Sequence, residues 1–258
     1  MKITANSCVI AMLLLAGCRT EVEPLPAPKN KNPPFSGTIW IDPNIITSAD
    51  PTSFKSLSYT GRGFRTMYDR RVKQGIYVEA FLFLAQYDDG LTIEIQVHPE
   101  FQNEQQAKVQ ADKYAPLMGQ LPTALRKSVF SLWIIPGVEP FGGAYQAVLI
   151  HTGQSKLYED FGNLEETLVH EAAHTSLDHL HASAPGWLAS QAADGNFIST
   201  YARDFPMRED IAESFVLYIA IRYKSHRISK SLANTILETM PNRIKYFDAQ
   251  NLNMHPLK

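Results

Sequence analysis

The chain has 258 residues, a formal net charge of −2 at pH 7 and an apolar content of 45%. This length and composition predict a globular protein with one or two cores. The near-neutral charge supplies no electrostatic footprint for phosphates, so we expect no nucleic-acid partner. Cys8 and Cys18 both lie in the first eighteen residues, so any metal site in the folded part must use His, Asp or Glu.

The N-terminal residues have the layout of an export signal. Lys2 provides a positive charge, and residues 9–16 form an apolar run that is too short to cross a bilayer. Small residues at positions 16 and 17 then precede Cys18. The segment 15–18 resembles the lipobox of bacterial lipoproteins, which implies cleavage before Cys18 and its lipidation, palmitate included. An ordinary cleaved signal is the alternative.

A Pro-rich segment follows the cysteine. Five prolines and almost no large apolar residue predict an extended spacer. We therefore expect a lipoprotein signal peptide over 1–17, a lipidated tether over 18–36 and one domain over 37–258. Arg19 rather than aspartate follows Cys18, which in the lipoproteins it resembles fits passage to an outer membrane. The predicted location is the cell envelope, lipid-anchored outside the cytoplasm.

The first half of the domain has the character of a sheet. Residues of high β propensity, with an Asp-Asp-Gly turn at 88–90, predict strands. The runs are 38–42, 64–72, 76–86, 91–97, 129–135 and 145–150. A helix over 101–118 interrupts them, and residues 136–143 favour turns.

The second half is predicted to be mainly helical. Asn163 and Glu166 form an Asn version of the capping box, which predicts a helix that continues to about residue 180. Pro206 is expected to open a further long helix over 207–224. Shorter helices are predicted over 187–193, 229–239 and 242–249. The expected fold class is α+β, with a mixed or antiparallel sheet packed on the helix at 163–180, followed by a mainly helical half.

The segment His170-Glu-Ala-Ala-His174 is an HExxH motif. Residues four apart share one face of a helix, so both imidazoles can reach one Zn²⁺. Glu171 then lies beside the metal as a general base, which is typical of zinc metalloproteases. The alternative is an amphipathic helix that carries two histidines by chance.

Candidates for a third ligand that lie shortly after the motif are poor. Asp178 lies ~12 Å along the helix axis from His170, and His179 lies well round the helix. His181 could reach the metal only if the helix ended early. Leu180 occupies the position of the third histidine in the metzincin pattern, which disfavours that subfamily.

Glu209 and Glu213 are better candidates. They lie four residues apart on a second predicted helix and face the same way. One carboxylate can bind zinc while the other holds an imidazole N–H. Solvated charges on an exposed helix face are the alternative.

These features together resemble a known family. The HExxH motif, Tyr201 and the segment 209–215 are similar to gluzincin-type metallopeptidases, most closely to the family of the anthrax lethal factor catalytic domain. The resemblance implies a zincin-like fold and one Zn²⁺. It implies His170, His174 and Glu209 as zinc ligands, Glu171 as general base on zinc-bound water, Tyr201 as the hydroxyl that stabilises the tetrahedral intermediate, and Glu213 as a support for the ligands.

The expected activity is zinc-dependent peptide-bond hydrolysis by a membrane-tethered, extracytoplasmic metalloendopeptidase. Its partners would be a peptide or protein substrate and the membrane, through lipidated Cys18. In zincins an edge strand pairs with extended substrate, and residues 145–150 are the predicted edge strand. Two alternatives stay open: a non-catalytic surface lipoprotein that acts as a binding or envelope-assembly module, and a zinc hydrolase that acts on other bonds.

Overall fold

The computed structural model describes residues 32–39 and 45–258. The predicted signal peptide, Cys18, most of the tether and most of the predicted strand 38–42 lie outside these residues. No helix in the described ranges is long and apolar enough to cross a bilayer. The strands are β1 (Phe54–Asp69), β2 (Gln74–Tyr87), β3 (Thr92–Val97), β4 (Ser131–Ile135), β5 (Gly142–Ala144) and β6 (Ala147–His151).

Helices connect and follow these strands. They are α1 (Glu104–Gln120), α2 (Thr123–Arg126), α3 (Thr152–Phe161), α4 (Leu164–Ser176), α5 (Asp178–His181), α6 (Pro185–Asp194), α7 (Thr200–Asp204), α8 (Asp210–Tyr223), α9 (Lys230–Thr239) and α10 (Pro241–Ala249). The six strands form one sheet in the order β1-β2-β3-β4-β6-β5. The pairs β3-β4 and β4-β6 are parallel and the others are antiparallel. The predicted division into a sheet-bearing N-terminal half and a helical C-terminal half is confirmed.

The core lies between the sheet and the helices. Ile93, Ile95 and Val97 alternate along β3 and are fully buried, as the period of two along a strand requires. A second, smaller cluster covers the other face of the sheet, where Met67 and Ala80 of the β1-β2 hairpin belong to one buried group with β4 and β6 residues. The hairpin therefore folds over this outer face.

The structure of the N-terminal half differs from the predictions in three respects. The stretch predicted as a turn contains β5, which is only three residues long and rich in glycine. The predicted edge strand 145–150 corresponds to β6, which lies second from the edge, so that prediction is wrong, and β5 is the last strand of the sheet in the described ranges. Helix α3, which directly follows β6, was not predicted.

The predicted capping box at Asn163 is also wrong. Asn163 precedes α4, but its side chain makes no capping hydrogen bond. Glu166 instead accepts hydrogen bonds from the backbone N–H groups of Ile45 (2.5 Å) and Ile46 (3.3 Å). Burial raises the pKa of Glu166 to about 7. A long-range tertiary contact has thus replaced the local one.

Two helix boundaries differ from the predictions, and one helix was not predicted. Helix α4 ends at Ser176 rather than near residue 180, and α5 follows after a break at Leu177. Helix α8 begins at Asp210, after a turn that includes Pro206. Helix α7, which carries Tyr201, was not predicted.

Candidate metal centre

Helices α4 and α8 pack against each other and bring three of the predicted ligands together. His170 and His174 lie one turn apart on α4, and Glu209 lies immediately before the first residue of α8. His170 and Glu209 are buried, and His174 is nearly so. One ligand atom from each lies within 4.8 Å of the others, so these three residues form a group that could hold a metal ion.

The three ligand atoms form a nearly equilateral triangle. The Nε2 atoms of His170 and His174 are 3.1 Å apart. Glu209 Oε2 lies 3.4 Å from His170 Nε2 and 3.2 Å from His174 Nε2. The imidazole rings are nearly perpendicular, at 82°. Three donor atoms of the kind that bind transition metals thus converge on one point.

A carboxylate lies beside the other nitrogen of each imidazole. Asp178 Oδ2 is 2.7 Å from His174 Nδ1, and Glu213 Oε1 is 3.6 Å from His170 Nδ1. A carboxylate that accepts the Nδ1 hydrogen leaves the lone pair of Nε2 free for a metal. Asp178 is not one of the three convergent groups, which agrees with its distance along the helix, but its role beside His174 was not predicted.

Glu213 is itself held by the N-terminal part of the described chain. Its Oε2 accepts hydrogen bonds from Ser199 Oγ (2.8 Å) and from the backbone N–H of Ile39 (2.9 Å). The Thr38 hydroxyl donates to its other oxygen. Ser199 also accepts from Ala202 N and thereby caps α7. These bonds fix the carboxylate beside His170.

The carboxylates around the imidazoles shift their proton affinities. Burial alone would lower the pKa of His174, but Asp178 and Glu209 raise it to about 10. Burial would likewise raise the pKa of Glu209, but the imidazoles of His170 and His174 bring it below its usual range. A metal must therefore displace a proton from His174, since a ligand imidazole has to be neutral.

Glu171 and Tyr201 line the same cleft as the three convergent groups, and its volume is about 880 Å³. Tyr201 lies on α7, and burial together with Glu209 raises its pKa, so its hydroxyl keeps its proton at neutral pH. Arg208, which was not predicted, donates from Nε to Glu209 Oε1 at 2.6 Å. Its Nη2 lies 3.5 Å from the Tyr201 hydroxyl. The sequence signal for Arg208 was its position directly before Glu209.

Strand β5 lies directly against the motif helix. A Cβ atom at Gly143 would lie 1.9 Å from the backbone oxygen of Glu171 and 2.9 Å from His174 Cβ. Only glycine therefore allows this approach, because real Cβ atoms do not come so close to backbone. The outer edge of the described sheet thus forms one wall of the cleft.

The remaining histidines near the motif do not join the group. His179 is exposed at the cleft, as its position round the helix predicted. The helix does end early, but the Nδ1 of His181 lies 2.8 Å from the Tyr246 hydroxyl, outside the convergent group.

Comparison with protein-family models, with curated proteins and with solved structures gave no match.

Proposed function

We propose that this protein is a zinc-dependent peptidase with a zincin-like active site, in which His170, His174 and Glu209 hold one Zn²⁺. The triangle of ligand atoms carries this proposal. For zinc bonds of 2.0–2.1 Å in tetrahedral geometry, neighbouring ligand atoms lie about 3.3–3.4 Å apart. The measured separations are 3.1, 3.2 and 3.4 Å. Three protein ligands also leave the fourth position open, as catalytic zinc sites do.

The residues around the triangle match the steps of peptide hydrolysis. A bound zinc would polarise the scissile carbonyl and lower the pKa of the attacking water. Glu171 takes a proton from that water and returns it to the leaving amine. The Tyr201 hydroxyl donates a hydrogen bond to the developing oxyanion. Arg208 keeps the Glu209 carboxylate oriented through its bond to Oε1.

The outer edge of β5, which pairs with no further strand among residues 32–39 and 45–258, supports a peptide as the substrate. An extended peptide can add to an exposed sheet edge through main-chain hydrogen bonds. Strand β5 lies last in the sheet order and contacts the motif helix at Gly143. A peptide bound there passes the triangle of ligand atoms. We propose that the domain works outside the cytoplasm on a lipid tether, on the basis of the sequence that ends at Cys18.

The test separates metal binding from catalysis. We expect purified protein to bind about one zinc per chain and to hydrolyse denatured casein, with loss of activity on chelation. Glu171→Gln should keep the zinc and lower hydrolysis by about 10²- to 10⁴-fold, because a general base contributes on that scale. Glu165→Gln, in the first turn of the same helix, is the matched control and should keep full activity.

Two outcomes would contradict the proposal. A folded protein that does not bind zinc would remove the metal centre altogether. Zinc binding without any hydrolysis of casein or of a mixed peptide library, in a protein with intact Glu171, would favour the non-catalytic binding module.

A further inference from the structure

Arg70 lies at the tip of the β1-β2 hairpin and lines the cleft. Its neighbour Arg71 is fully engaged, with bonds of 2.8 Å to both Asp69 and Glu100. Arg70 differs: across residues 32–39 and 45–258 its guanidinium forms no ion pair or hydrogen bond, and its Nε is buried without a partner. A buried donor that lacks an acceptor is costly, so the guanidinium of Arg70 is not fully hydrogen-bonded within the described chain.

The fold places the guanidinium of Arg70 close to the edge of the sheet. Strand β2 extends beyond β3, because Phe81 pairs with Val97, the last residue of β3. The projecting part of the hairpin folds over the outer face of the sheet and reaches β5. A Cβ atom at Gly142 would lie 2.9 Å from Arg70 Nη2, so the guanidinium rests against the edge strand itself.

Gly142 and Gly143 point to opposite faces of β5, since side-chain direction alternates along a strand. The face at Gly143 meets the motif helix, and the face at Gly142 meets Arg70. A peptide added to this edge would therefore present alternate side chains to the two faces. Arg70, Tyr158 and Glu171 all line this cleft.

Arg70 is also the cation of the cleft that lacks a counter-charge among the described residues. The other arginine that lines the cleft, Arg208, is paired with Glu209 at 2.6 Å. A guanidinium presents its donors in a planar fork that matches a carboxylate. A carboxylate carried by the substrate is therefore the partner that best matches the guanidinium of Arg70.

We propose that Arg70 forms a subsite for a substrate carboxylate, so that the peptidase selects peptides with an acidic group next to the scissile bond. This inference rests on the proposed function. If the peptide binds antiparallel to β5, it runs from Ala144 towards Gly142, and its C-terminal end lies at Arg70. In that direction the carboxylate lies on the C-terminal side of the scissile bond, as an acidic side chain or as the chain terminus.

Binding without turnover tests the subsite. Zinc-loaded Glu171→Gln protein is titrated with fluorescent peptide libraries that carry Glu or Gln at one fixed position, each with a free or an amidated C-terminus. We expect peptides with the favoured carboxylate to bind about 10- to 100-fold more tightly than their neutral counterparts, as hydrogen bonds to a charged group allow. The Glu/Gln pair and the free/amidated pair identify the source of the carboxylate.

Variants at position 70 then assign the preference to this residue. Arg70→Gln should abolish it, Arg70→Lys should keep part of it, and Arg70→Glu should shift the preference towards Lys-containing peptides. Arg62→Gln is the matched control, because Arg62 lies on β1 with an exposed pair to Glu79 and does not line the cleft. Melting temperatures of all variants are measured alongside to establish that each is folded.

The inference is overturned if folded Arg70→Gln keeps the carboxylate preference, or if neither neutral nor acidic peptides bind the folded protein. These results are distinguishable from failure of the proposed function. A carboxylate preference that depends on Arg70, in a protein that hydrolyses no peptide, would refute the peptidase and leave the subsite in place. Hydrolysis of peptides without any preference for acidic groups would support the peptidase and refute the subsite.

Discussion

Two carboxylates that are adjacent in sequence, Glu209 and Asp210, have opposite surroundings. Asp210 Oδ2 accepts bonds of 2.8 Å from Arg243 Nε and from Gln191 Nε2. Arg243 also donates to Asp194 at 2.9 Å, and no part of these three charged side chains is exposed. Both carboxylates of this cluster on α6, α8 and α10 are closed by the chain's own donors, although Arg243 Nη2 has no acceptor among the described residues.

Glu209 has no such closure on its inner side. Its Oε1 is bound by the largely exposed Arg208, but its Oε2 faces the two Nε2 atoms of His170 and His174. Once His174 has lost its second proton, three groups that each offer a lone pair converge there, and a cation is the partner that satisfies all of them. The two adjacent residues thus differ: Asp210 is paired within the fold, whereas Glu209 belongs to a group that could hold a metal ion.

The largest expected effect tests the closed cluster. Arg243→Met leaves Asp194 and Asp210 buried without their cation and should lower the free energy of unfolding by about 3–5 kcal/mol. Urea denaturation with and without zinc measures this, and the loss should be the same in both conditions. Arg222→Met, which breaks an exposed pair with Asp248, should cost less than about 1 kcal/mol. Equal losses of unfolding free energy in the two variants would contradict the distinction between the buried cluster and an exposed ion pair.

The next effect tests the open cluster. Glu209→Gln should remove the response to zinc, and it should also lower the zinc-free stability, because Glu209 and the imidazolium of His174 stabilise each other's charge. For the unmodified chain, free zinc at 100 times the dissociation constant should add about 2.7 kcal/mol. Thermal melts with and without zinc measure the difference, with the exposed Asp204→Asn as control. A Glu209→Gln protein that zinc still stabilises to the same extent would show that Glu209 is not a ligand.

The smallest effect concerns the support of His174. Asp178→Asn should weaken zinc binding by about 10- to 100-fold without abolishing it, because it removes the acceptor of the Nδ1 hydrogen. The pKa of His174 is raised to about 10, so this imidazole is protonated at neutral pH before zinc binds. Zinc affinity should therefore fall as the pH is lowered from about 10 towards 7.

Competition titrations with a chromogenic chelator at several pH values measure both effects. The dependence on pH should be weaker in Asp178→Asn, because loss of the carboxylate lowers the pKa of His174. An unchanged affinity and an unchanged pH dependence would mean that Asp178 plays no part in the metal centre.

The part of the site that follows from helix geometry could be predicted from sequence. His170 and His174 lie on one face because they are four residues apart, and the same geometry excluded Asp178 as a ligand. Glu209 was predicted because a catalytic metal needs a third ligand. The sheet-then-helix order was predicted from the change of hydrophobic period.

The features that sequence did not predict depend on contacts between distant residues. Glu166 does not form the predicted local capping box; its carboxylate instead accepts a hydrogen bond from the backbone N–H of Ile45, 121 residues away. Strand β5 has the composition of a turn, and its glycines are needed for the approach of Glu171 and Arg70. Arg70 itself precedes the motif by a hundred residues, and only the fold of the hairpin brings it to the cleft.

The hydrogen bonds from Thr38 and Ile39 to Glu213 can form only after most of the chain has been synthesised. They join residues 175 and 174 positions apart, so they close only after α8 exists. Chains are made from the N-terminus, so every strand of the sheet is complete while both Glu209 and Glu213 are still to come. A growing chain therefore contains the six described strands before it contains Glu209. The group that could hold a metal ion can form only late in synthesis.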